Sequence, residues 1–331
     1  MKDDCSFSWF RIARAKGIGP ASLWEIYDSM ERSGFQVSDL VSCQSFQNVS
    51  SLKKLKSKLT SSLSQQDEDK IYREFERLEN NRVKILHPEF SDFPIKLKQF
   101  GRKYGIPPVL YARGYTPLAN VPSISIVGSR NVEEAALFMA SELAKDLAYE
   151  GYNIVSGYAK GIDSAAHLGA LEAEGTTTIV LSLGILNFEA KKDFKPWFSA
   201  RNTLVISQFN PTDKWMARHA MARNKLVCAL SDATIVIASG KEVDDCGKMS
   251  GTFDAAKTAM NMNLPVFVLS PNCFDVPPEG NDDLIRLGGH AISPKNAIER
   301  ILSTLNRPSM KLSQNSQSSL QLDLFSPSQV R

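Results

Sequence analysis

Short runs of β-branched and other apolar residues alternate with helical segments between residues 86 and 305, and this alternation restricts the fold more than any other feature. The runs are SISIV (123–127), YNIVS (152–156), TTTIVLSL (176–183), TLVIS (203–207), TIVIAS (234–239) and LPVFVLS (264–270). Uninterrupted apolar runs are typical of strands buried on both faces, with helices covering each face. The sequence therefore predicts an α/β fold built on a doubly wound, mostly parallel sheet.

Two other zones flank this region. Residues 1–85 have helical patterns on both sides of a Gly17-Ile18-Gly19-Pro20 turn, which predicts a small all-helical domain. Residues 306–331 are rich in Ser and Gln and carry their apolar residues almost entirely in one short cluster, which predicts a disordered tail. The α/β domain is accordingly assigned to residues 86–305.

The composition excludes several classes of protein. No apolar run approaches the roughly 20 residues of a bilayer span, and the first residues lack a signal-peptide core, so we expect a cytoplasmic chain without membrane contact. The five cysteines are scattered without a C-x-x-C pair, which favours reduced thiols over disulfides or structural zinc. With 39 Lys and Arg against 36 Asp and Glu, the net charge of +3 does not by itself indicate nucleic-acid binding.

Ligands of open parallel sheets bind outside the carboxyl ends of the strands, so the residues after each run are the candidate site. The first run ends in Gly128, Ser129 and Arg130, and a helix is predicted to start near Val132. A glycine, helix N–H donors and an arginine together suit an anionic oxygen. Alternatively, Gly128 only makes the turn and Arg130 is a solvated side chain.

The loop after the second run is a further candidate for wrapping a phosphate. It contains Ser156, Gly157, Lys160, Gly161 and Asp163. Asp163 has the features of a helix N-cap, and His167 lies four residues further on the same helix face. The two side chains could form an acid/base pair, or Asp163 could cap the helix and hydrogen-bond a structural histidine.

Basic and small residues also follow later runs. Arg223, Asn224 and Lys225 precede the apolar segment LVCAL, where cations at a helix start would oppose the macrodipole unless an anion shares the site. The alternative is a solvated basic face. Small and hydroxyl residues follow the fifth run at a predicted helix N-terminus, namely Ser250, Gly251 and Thr252.

The sequence lacks the patterns of common catalytic centres. Asp244, Asp245 and Cys246 have no spaced His or second Cys, so no metal site is predicted there. The chain also contains no nucleophile elbow, Walker A loop, H-E-x-x-H or strand-bound G-x-G-x-x-G motif. We therefore expect a binding protein without a cofactor and not an enzyme.

Six short blocks in order resemble the DNA-processing protein family, DprA or Smf. They are PPVLYARG (107–114), IVGSR (126–130), SGYAKGIDSAAHLGAL (156–171), ARNKL (222–226), SGTFDAA (250–256) and GNDDLIRLGG (280–289). The resemblance covers about residues 85–293. It implies an extended Rossmann-like domain that binds single-stranded DNA in a basic pocket, forms homodimers and loads a RecA-type recombinase.

The resemblance also carries over to individual positions. Residues 128–130 match the family's first DNA-binding loop, and Ser156, Gly157, Lys160, Gly161 and Asp163 match its second. The Arg223-Asn224-Lys225 block matches a third, with Lys225 where the family has a second arginine. The Gly17-Ile18-Gly19 turn resembles a helix-hairpin-helix, within the SAM-like helical domain that many members carry. A purely structural helical turn is the alternative.

Several features depart from the family pattern. The usual strand-end Glu-Ala is replaced around Ala238-Ser239, the loop 240–249 is enlarged, and Asp254 stands where the family has Thr. The sequence given also ends without the winged-helix domain of many members. These departures leave recombinase loading open.

The C-terminal segment carries a second motif. Gln321, Leu322, Asp323, Leu324 and Phe325 resemble the Q-L-[SD]-L-F peptide that binds the bacterial sliding clamp. Leu322 and the Leu324-Phe325 pair would fill a hydrophobic groove, and Gln321 would hydrogen-bond at its rim. Docking of this segment on its own domain is the alternative.

Three functions remain open at this point. The first is a single-stranded DNA-binding recombination mediator, tethered to the sliding clamp. The second is a nucleotide sensor or phosphoribohydrolase of the same superfamily, for example in antiphage defence, although only the Gly251-Thr252 core of the hydrolase loop is present. The third is an adaptor that acts mainly through the tail. Binding of single-stranded DNA, of nucleotides or of the clamp distinguishes them.

Overall fold

The computed structural model describes residues 4–41 and 53–306, which contain a nine-stranded sheet. The strands are β1 (Lys84–Leu86), β2 (Leu110–Gly114), β3 (Ser123–Val127), β4 (Asn153–Ser156), β5 (Thr177–Val180), β6 (Thr203–Ser207), β7 (Ala233–Val236), β8 (Val266–Leu269) and β9 (His290–Ile292). All six runs identified in the sequence form strands. The predicted α/β fold with a mostly parallel sheet is confirmed.

Helices precede the sheet and connect its strands. They are α1 (Asp4–Ala13), α2 (Pro20–Ser33), α3 (Val37–Val41), α4 (Lys53–Ser64), α5 (Glu68–Asn80), α6 (Lys96–Tyr104), α7 (Glu134–Tyr149), α8 (Ile162–Glu172), α9 (Ala217–Ala229), α10 (Gly251–Asn261), α11 (Asn281–Arg286) and α12 (Ala297–Thr304). Among the described residues, no helix is both long and apolar enough to span a bilayer.

The strand order is β1-β2-β6-β5-β4-β3-β7-β8-β9, and the seven strands from β6 to β9 in this order pair in parallel. The chain proceeds outward from β3 through β4 and β5, and later returns to the other side of β3 as β7. The order of the strands thus reverses between β3 and β7, which is the place where open α/β sheets bind ligands at their carboxyl edge.

Three strands were not predicted from the sequence. β1 and β9 have three residues each, too few for a periodic signal. β2 pairs antiparallel with both β1 and β6, and Tyr111 lies opposite Ser207. Antiparallel pairing therefore extends the parallel sheet beyond β6.

Two layers of helices cover the sheet. α7, α8 and α12 bury small and branched residues against one face, including Ala140, Ala166 and Ile301. α9, α10 and α11 contribute Leu226, Phe253 and Leu284 to a separate core on the other face. Strands β3 to β8 are therefore buried along their whole length, which explains their uninterrupted apolar sequences.

The N-terminal helices pack against the β1–β2 end of the sheet. The Phe10 and Tyr111 rings lie edge to face at 6.3 Å, and the fully buried Trp24 donates its indole N–H to Ile106 O at 2.8 Å. The sequence boundary proposed at residues 85/86 falls inside β1. The helical region and this end of the sheet share one continuous core.

Candidate nucleic-acid interface

The carboxyl edge of the sheet is crossed by a buried ion pair. Arg223 of α9 and Asp163 of α8 come from opposite faces and meet with Nη1 and Oδ2 3.7 Å apart. Both side chains are less than a tenth exposed. They meet against the backbone of Gly157, where a Cβ atom would lie only 1.8 Å from Arg223 Nη1. Glycine at 157 therefore allows the guanidinium to reach the carboxylate.

The two glycine loops also pack tightly against each other. Gly161 has φ +86°, and a Cβ there would lie 2.7 Å from Arg130 O and 2.8 Å from Ser129 O. A Cβ at Gly128 would similarly overlap the side chain of Ile162. The loop after β3 and the loop after β4 thus form one closely packed unit, in which each contact leaves no space for a Cβ atom.

Two predicted phosphate ligands are used inside this unit. Ser129 N donates to Ala238 O at 2.9 Å, and α7 begins only at Glu134, later than the predicted start near Val132. Ser156 is fully buried and donates its hydroxyl to Ile126 O at 2.6 Å. These groups support the loops, which leaves recognition of an anion to the side chains that project from them.

The predicted helix cap at Asp163 is wrong. Gly161 occupies the N-cap position of α8, and Asp163 is the second residue of the helix, paired with Arg223. His167 does not bond Asp163 either. Its Nε2–H donates to Gly157 O at 2.5 Å, and its Nδ1 lies 2.6 Å from the Thr177 hydroxyl. His167 is fully buried, and burial lowers its pKa to about 4, so it is a neutral structural residue.

The predicted position of Arg223, Asn224 and Lys225 at a helix start is also wrong. α9 begins at Ala217, so these residues lie in the middle of the helix and do not oppose its N-terminal dipole. Asn224 is buried and donates its amide to Gly251 O at 2.9 Å, while Lys225 is exposed. Only Lys225 of the three side chains is open to solvent.

The segment 250–252 begins α10, as predicted. Ser250 is the N-cap, and its Oγ accepts a hydrogen bond from Phe253 N at 3.3 Å. Thr252 is largely buried. The bond from Asn224 to Gly251 O attaches this helix start to α9 and not to the loops after β3 and β4.

Cations and an aromatic ring project from the carboxyl edge. Arg130 and Lys160 are exposed and line one open cavity of about 660 Å³. Arg130 Cζ lies 5.9 Å from the ring centroid of Trp215, which is 51% exposed. Trp215 lies between β6 and α9 and was not identified from the sequence. The signal that could have found it is its place after a strand, among basic residues.

The positive charges of Arg130 and Arg223 repel one another. Burial is the main cause that lowers the pKa of the Arg223 guanidinium, Asp163 acts in the opposite direction, and nearby Arg130 lowers the pKa further. An anion at the edge would relieve this repulsion. The arrangement can therefore hold a phosphate beside an exposed aromatic face.

Residues 244–246, where the sequence predicts no metal site, lie in an exposed hairpin. Val243 and Met249 form an isolated antiparallel bridge, and Asp244 Oδ1 accepts backbone hydrogen bonds from Cys246 and Lys248. The aspartate thus organises the turn.

The predicted clamp motif, which consists of Gln321, Leu322, Leu324 and Phe325, lies outside the described residues.

The family model for DNA recombination-mediator protein A matches residues 84–306, about two thirds of the chain. The chain belongs to this family. The resemblance drawn from the six sequence blocks is thereby confirmed, and the carboxyl edge of this family member lies wholly within the matched region.

Individual proteins of this family are similar to the chain in sequence and in structure. The Bacillus subtilis DNA processing protein DprA is 30% identical over 204 residues, which are 61% of this chain and 65% of that protein. The Streptococcus pneumoniae DprA crystal structure superposes with a TM-score of 0.69 at 22% identity, covering 89% and 97% of the two chains. A Helicobacter pylori DprA structure, concerned with that protein's single-stranded DNA binding mode, has a TM-score of 0.54 at 26% identity, covering 67% and 97%.

A second residue missed from the sequence, Lys191, supports the edge of this DprA-family chain. Its Nζ donates to Tyr158 O at 3.2 Å, to Ala159 O at 3.3 Å and to Ser164 Oγ at 2.7 Å. The ammonium also lies 4.3 Å from the Tyr158 ring centroid. Burial lowers the pKa of Lys191. The lysine belongs to an irregular segment between β5 and β6, where no sequence periodicity marks it.

Proposed function

We propose that the chain binds single-stranded DNA at the carboxyl edge of its sheet and acts as a recombination mediator. The observation that carries this proposal is the exposed Trp215 ring beside Arg130. Single-stranded nucleic acid is bound by positive grooves that follow the phosphates and by aromatic faces on which bases stack. In duplex DNA the bases are already stacked on one another, so an aromatic platform favours single strands.

The surroundings of this pair support the same function. Lys160 adds a second exposed charge on the cavity that Arg130 lines. His167 is neutral and bonded on both ring nitrogens, and Asp163 is engaged by Arg223, so neither is arranged as a general acid or base. Binding without catalysis is therefore the function we propose. The Helicobacter pylori relative, whose structure concerns single-stranded DNA binding, supports the choice of ligand.

The test is fluorescence anisotropy of a labelled single-stranded oligonucleotide at several salt concentrations, with duplex DNA as competitor. Each phosphate contact contributes about −0.7 to the slope of log K against log salt for a single strand. We expect Arg130→Ala to weaken binding of all sequences and to reduce the magnitude of the slope by about 0.7. Lys160→Ala should act similarly.

Arg77→Ala is the matched control, because Arg77 is an exposed arginine on α5, within the N-terminal helices. It removes the same charge and should leave affinity and slope unchanged. Arg223 is unsuitable for this comparison because its replacement would break a buried ion pair. Absence of binding at low salt, together with binding of a mononucleotide, would contradict the proposal and favour the nucleotide-sensing alternative.

The partners remain proposals at the level of the whole protein, since the matched region spans 65% of the Bacillus subtilis relative. We propose a homodimer that delivers DNA to a RecA-type recombinase, with residues 321–325 binding the sliding clamp. A variant with Leu324→Ala and Phe325→Ala should lose clamp binding and retain DNA binding. Equal clamp binding by this variant would remove the clamp from the proposal.

A further inference from the structure

Three possible metal ligands from distant parts of the sequence meet where α1 packs beside β1. They are Cys5, His87 and Glu89, and one ligand atom from each lies within 4.8 Å of the other two. Cys5 lies on the first helix, whereas His87 and Glu89 follow β1 directly. The side chains come together through the fold and could not be recognised as a spaced motif in the sequence.

The sulfur and carboxylate of this cluster are already at metal-binding separation. Cys5 Sγ donates to Glu89 Oε2 at 3.3 Å. A zinc ion with bonds of about 2.3 Å to sulfur and about 2.0 Å to oxygen would hold these two atoms about 3.5 Å apart in tetrahedral geometry. Replacement of the thiol proton by a metal ion therefore requires only a small movement.

One ring nitrogen of the third ligand already has a hydrogen-bond partner. His87 is 2% exposed, and its Nε2 lies 3.1 Å from Ser6 Oγ. A histidine that binds a metal through one ring nitrogen usually donates the other N–H to such a partner, which fixes the tautomer. Glu89 is held in the same way, because Trp9 Nε1 donates to Glu89 Oε2 at 2.7 Å.

We propose that Cys5 Sγ, His87 Nδ1 and Glu89 bind a zinc ion that joins α1 to the segment after β1. Thiolate, imidazole and carboxylate together form a donor set that binds zinc in preference to magnesium or calcium. Glu89 is exposed, so water can complete the tetrahedron. This site is separate from the carboxyl edge and does not depend on the DNA-binding proposal.

The experiment is titration of the full-length, reduced protein with Co²⁺, a spectroscopic substitute for Zn²⁺. We expect one equivalent to give the visible bands of tetrahedral cobalt and a near-ultraviolet charge-transfer band from sulfur, and Zn²⁺ to displace it. Zn²⁺ should also raise the melting temperature, since it binds only the folded chain. Absence of the sulfur band in the wild-type protein would overturn the proposal.

Two conservative variants identify the ligands. Cys5→Ser retains a donor to Glu89 and should abolish the charge-transfer band. Glu89→Gln retains an acceptor for Trp9 and should weaken binding without unfolding α1. Cys246→Ser is the matched control, because Cys246 is exposed on the hairpin and should have no effect. A band that survives Cys5→Ser but is lost in Cys246→Ser would also overturn the assignment.

The orienting residue provides an independent check. Ser6→Ala removes the partner of His87 Nε2 and should weaken Co²⁺ binding by roughly 10-fold while leaving the sulfur band intact. The melting temperature of each variant without metal shows whether the fold is retained. Wild-type affinity in a folded Ser6→Ala variant would contradict the assigned role of His87.

Discussion

The Arg223 guanidinium lies 3.7 Å from the Asp163 carboxylate (Nη1 to Oδ2), and this contact joins helices that pack on opposite faces of the sheet. The pair passes over the backbone of Gly157, which has no side chain to prevent the contact. Asp163 lies two residues after Gly161, whose backbone packs against the carbonyl oxygen of Arg130. The candidate interface is thus supported by an interaction that only the complete sheet can form.

The first prediction concerns Gly157→Ala. The added methyl group would overlap Arg223 and push it away from Asp163. Because the displaced guanidinium would be left unpaired in a buried place, we expect the free energy of unfolding to fall by about 3 kcal/mol, measured by urea denaturation. Gly240→Ala is the control, since a Cβ there meets no atom within 4 Å. Equal losses in the two variants would contradict the steric argument.

The second prediction concerns Trp215→Ala. If a base stacks on this ring, the variant should lose about 1–3 kcal/mol of binding free energy, and at least about a 5-fold loss of affinity for oligo(dT) should be measured by anisotropy. Trp197→Ala tests the specificity of this effect, because Trp197 is similarly exposed at 41% on the segment between β5 and β6. We expect its affinity to be unchanged.

The third prediction concerns Lys191→Met, which preserves the length of the side chain and removes the ammonium. Two backbone carbonyls of the loop after β4 would lose a donor, so the free energy of unfolding should decrease by about 1–3 kcal/mol. DNA affinity should decrease with it, because the loop carries Lys160. Lys192→Met removes an adjacent exposed charge. An equal decrease in both would mean that only charge matters.

The fourth prediction concerns pH and His167. Its pKa is lowered to about 4 in the folded state by burial, whereas the unfolded chain binds the proton near pH 6.5. As the pH falls from about 6.5 to about 4, His167 binds a proton in the unfolded state but not in the native state. The free energy of unfolding should therefore fall by up to about 3 kcal/mol. Above about pH 6.5 this contribution is constant.

Urea denaturation of the wild type and of His167→Gln across this pH range measures the effect. Glutamine can still donate to Gly157 O but does not titrate, so the variant should show a smaller dependence on pH between about 4 and 6.5. Parallel curves for the two proteins would show that His167 does not cause the acid sensitivity.

The sequence was sufficient for the six parallel strands β3 to β8, because each is buried along its whole length and therefore reads as a continuous apolar run. It was insufficient for β2, whose five residues depend on pairing with β6, far along the chain. The position of the candidate site was predicted from the rule that ligands bind at the carboxyl edge, and it stays a prediction.

The roles of individual site residues could not be obtained in the same way. The burial of Arg223 depends on Asp163 from another layer of helices, and no local pattern contains that information. The first residues of α9 include polar side chains, so the apolar pattern of the sequence did not show that the helix begins at Ala217. Trp215 and Lys191 lie in irregular segments, where periodicity provides no signal. Tertiary contacts determine these roles.

The antiparallel contact between β2 and β6 has a consequence for synthesis of the chain. Gly114 ends β2, and its partner strand begins at Thr203, 89 residues later. At translation rates of about 5–20 residues per second, roughly 5–20 s pass between the synthesis of β2 and the synthesis of β6. During that interval only β1 is available to pair with β2, and the edge of β2 that later pairs with β6 is open. The nascent chain therefore carries a strand with one open edge until its second half emerges, which is a period when chaperones or premature association can compete with folding.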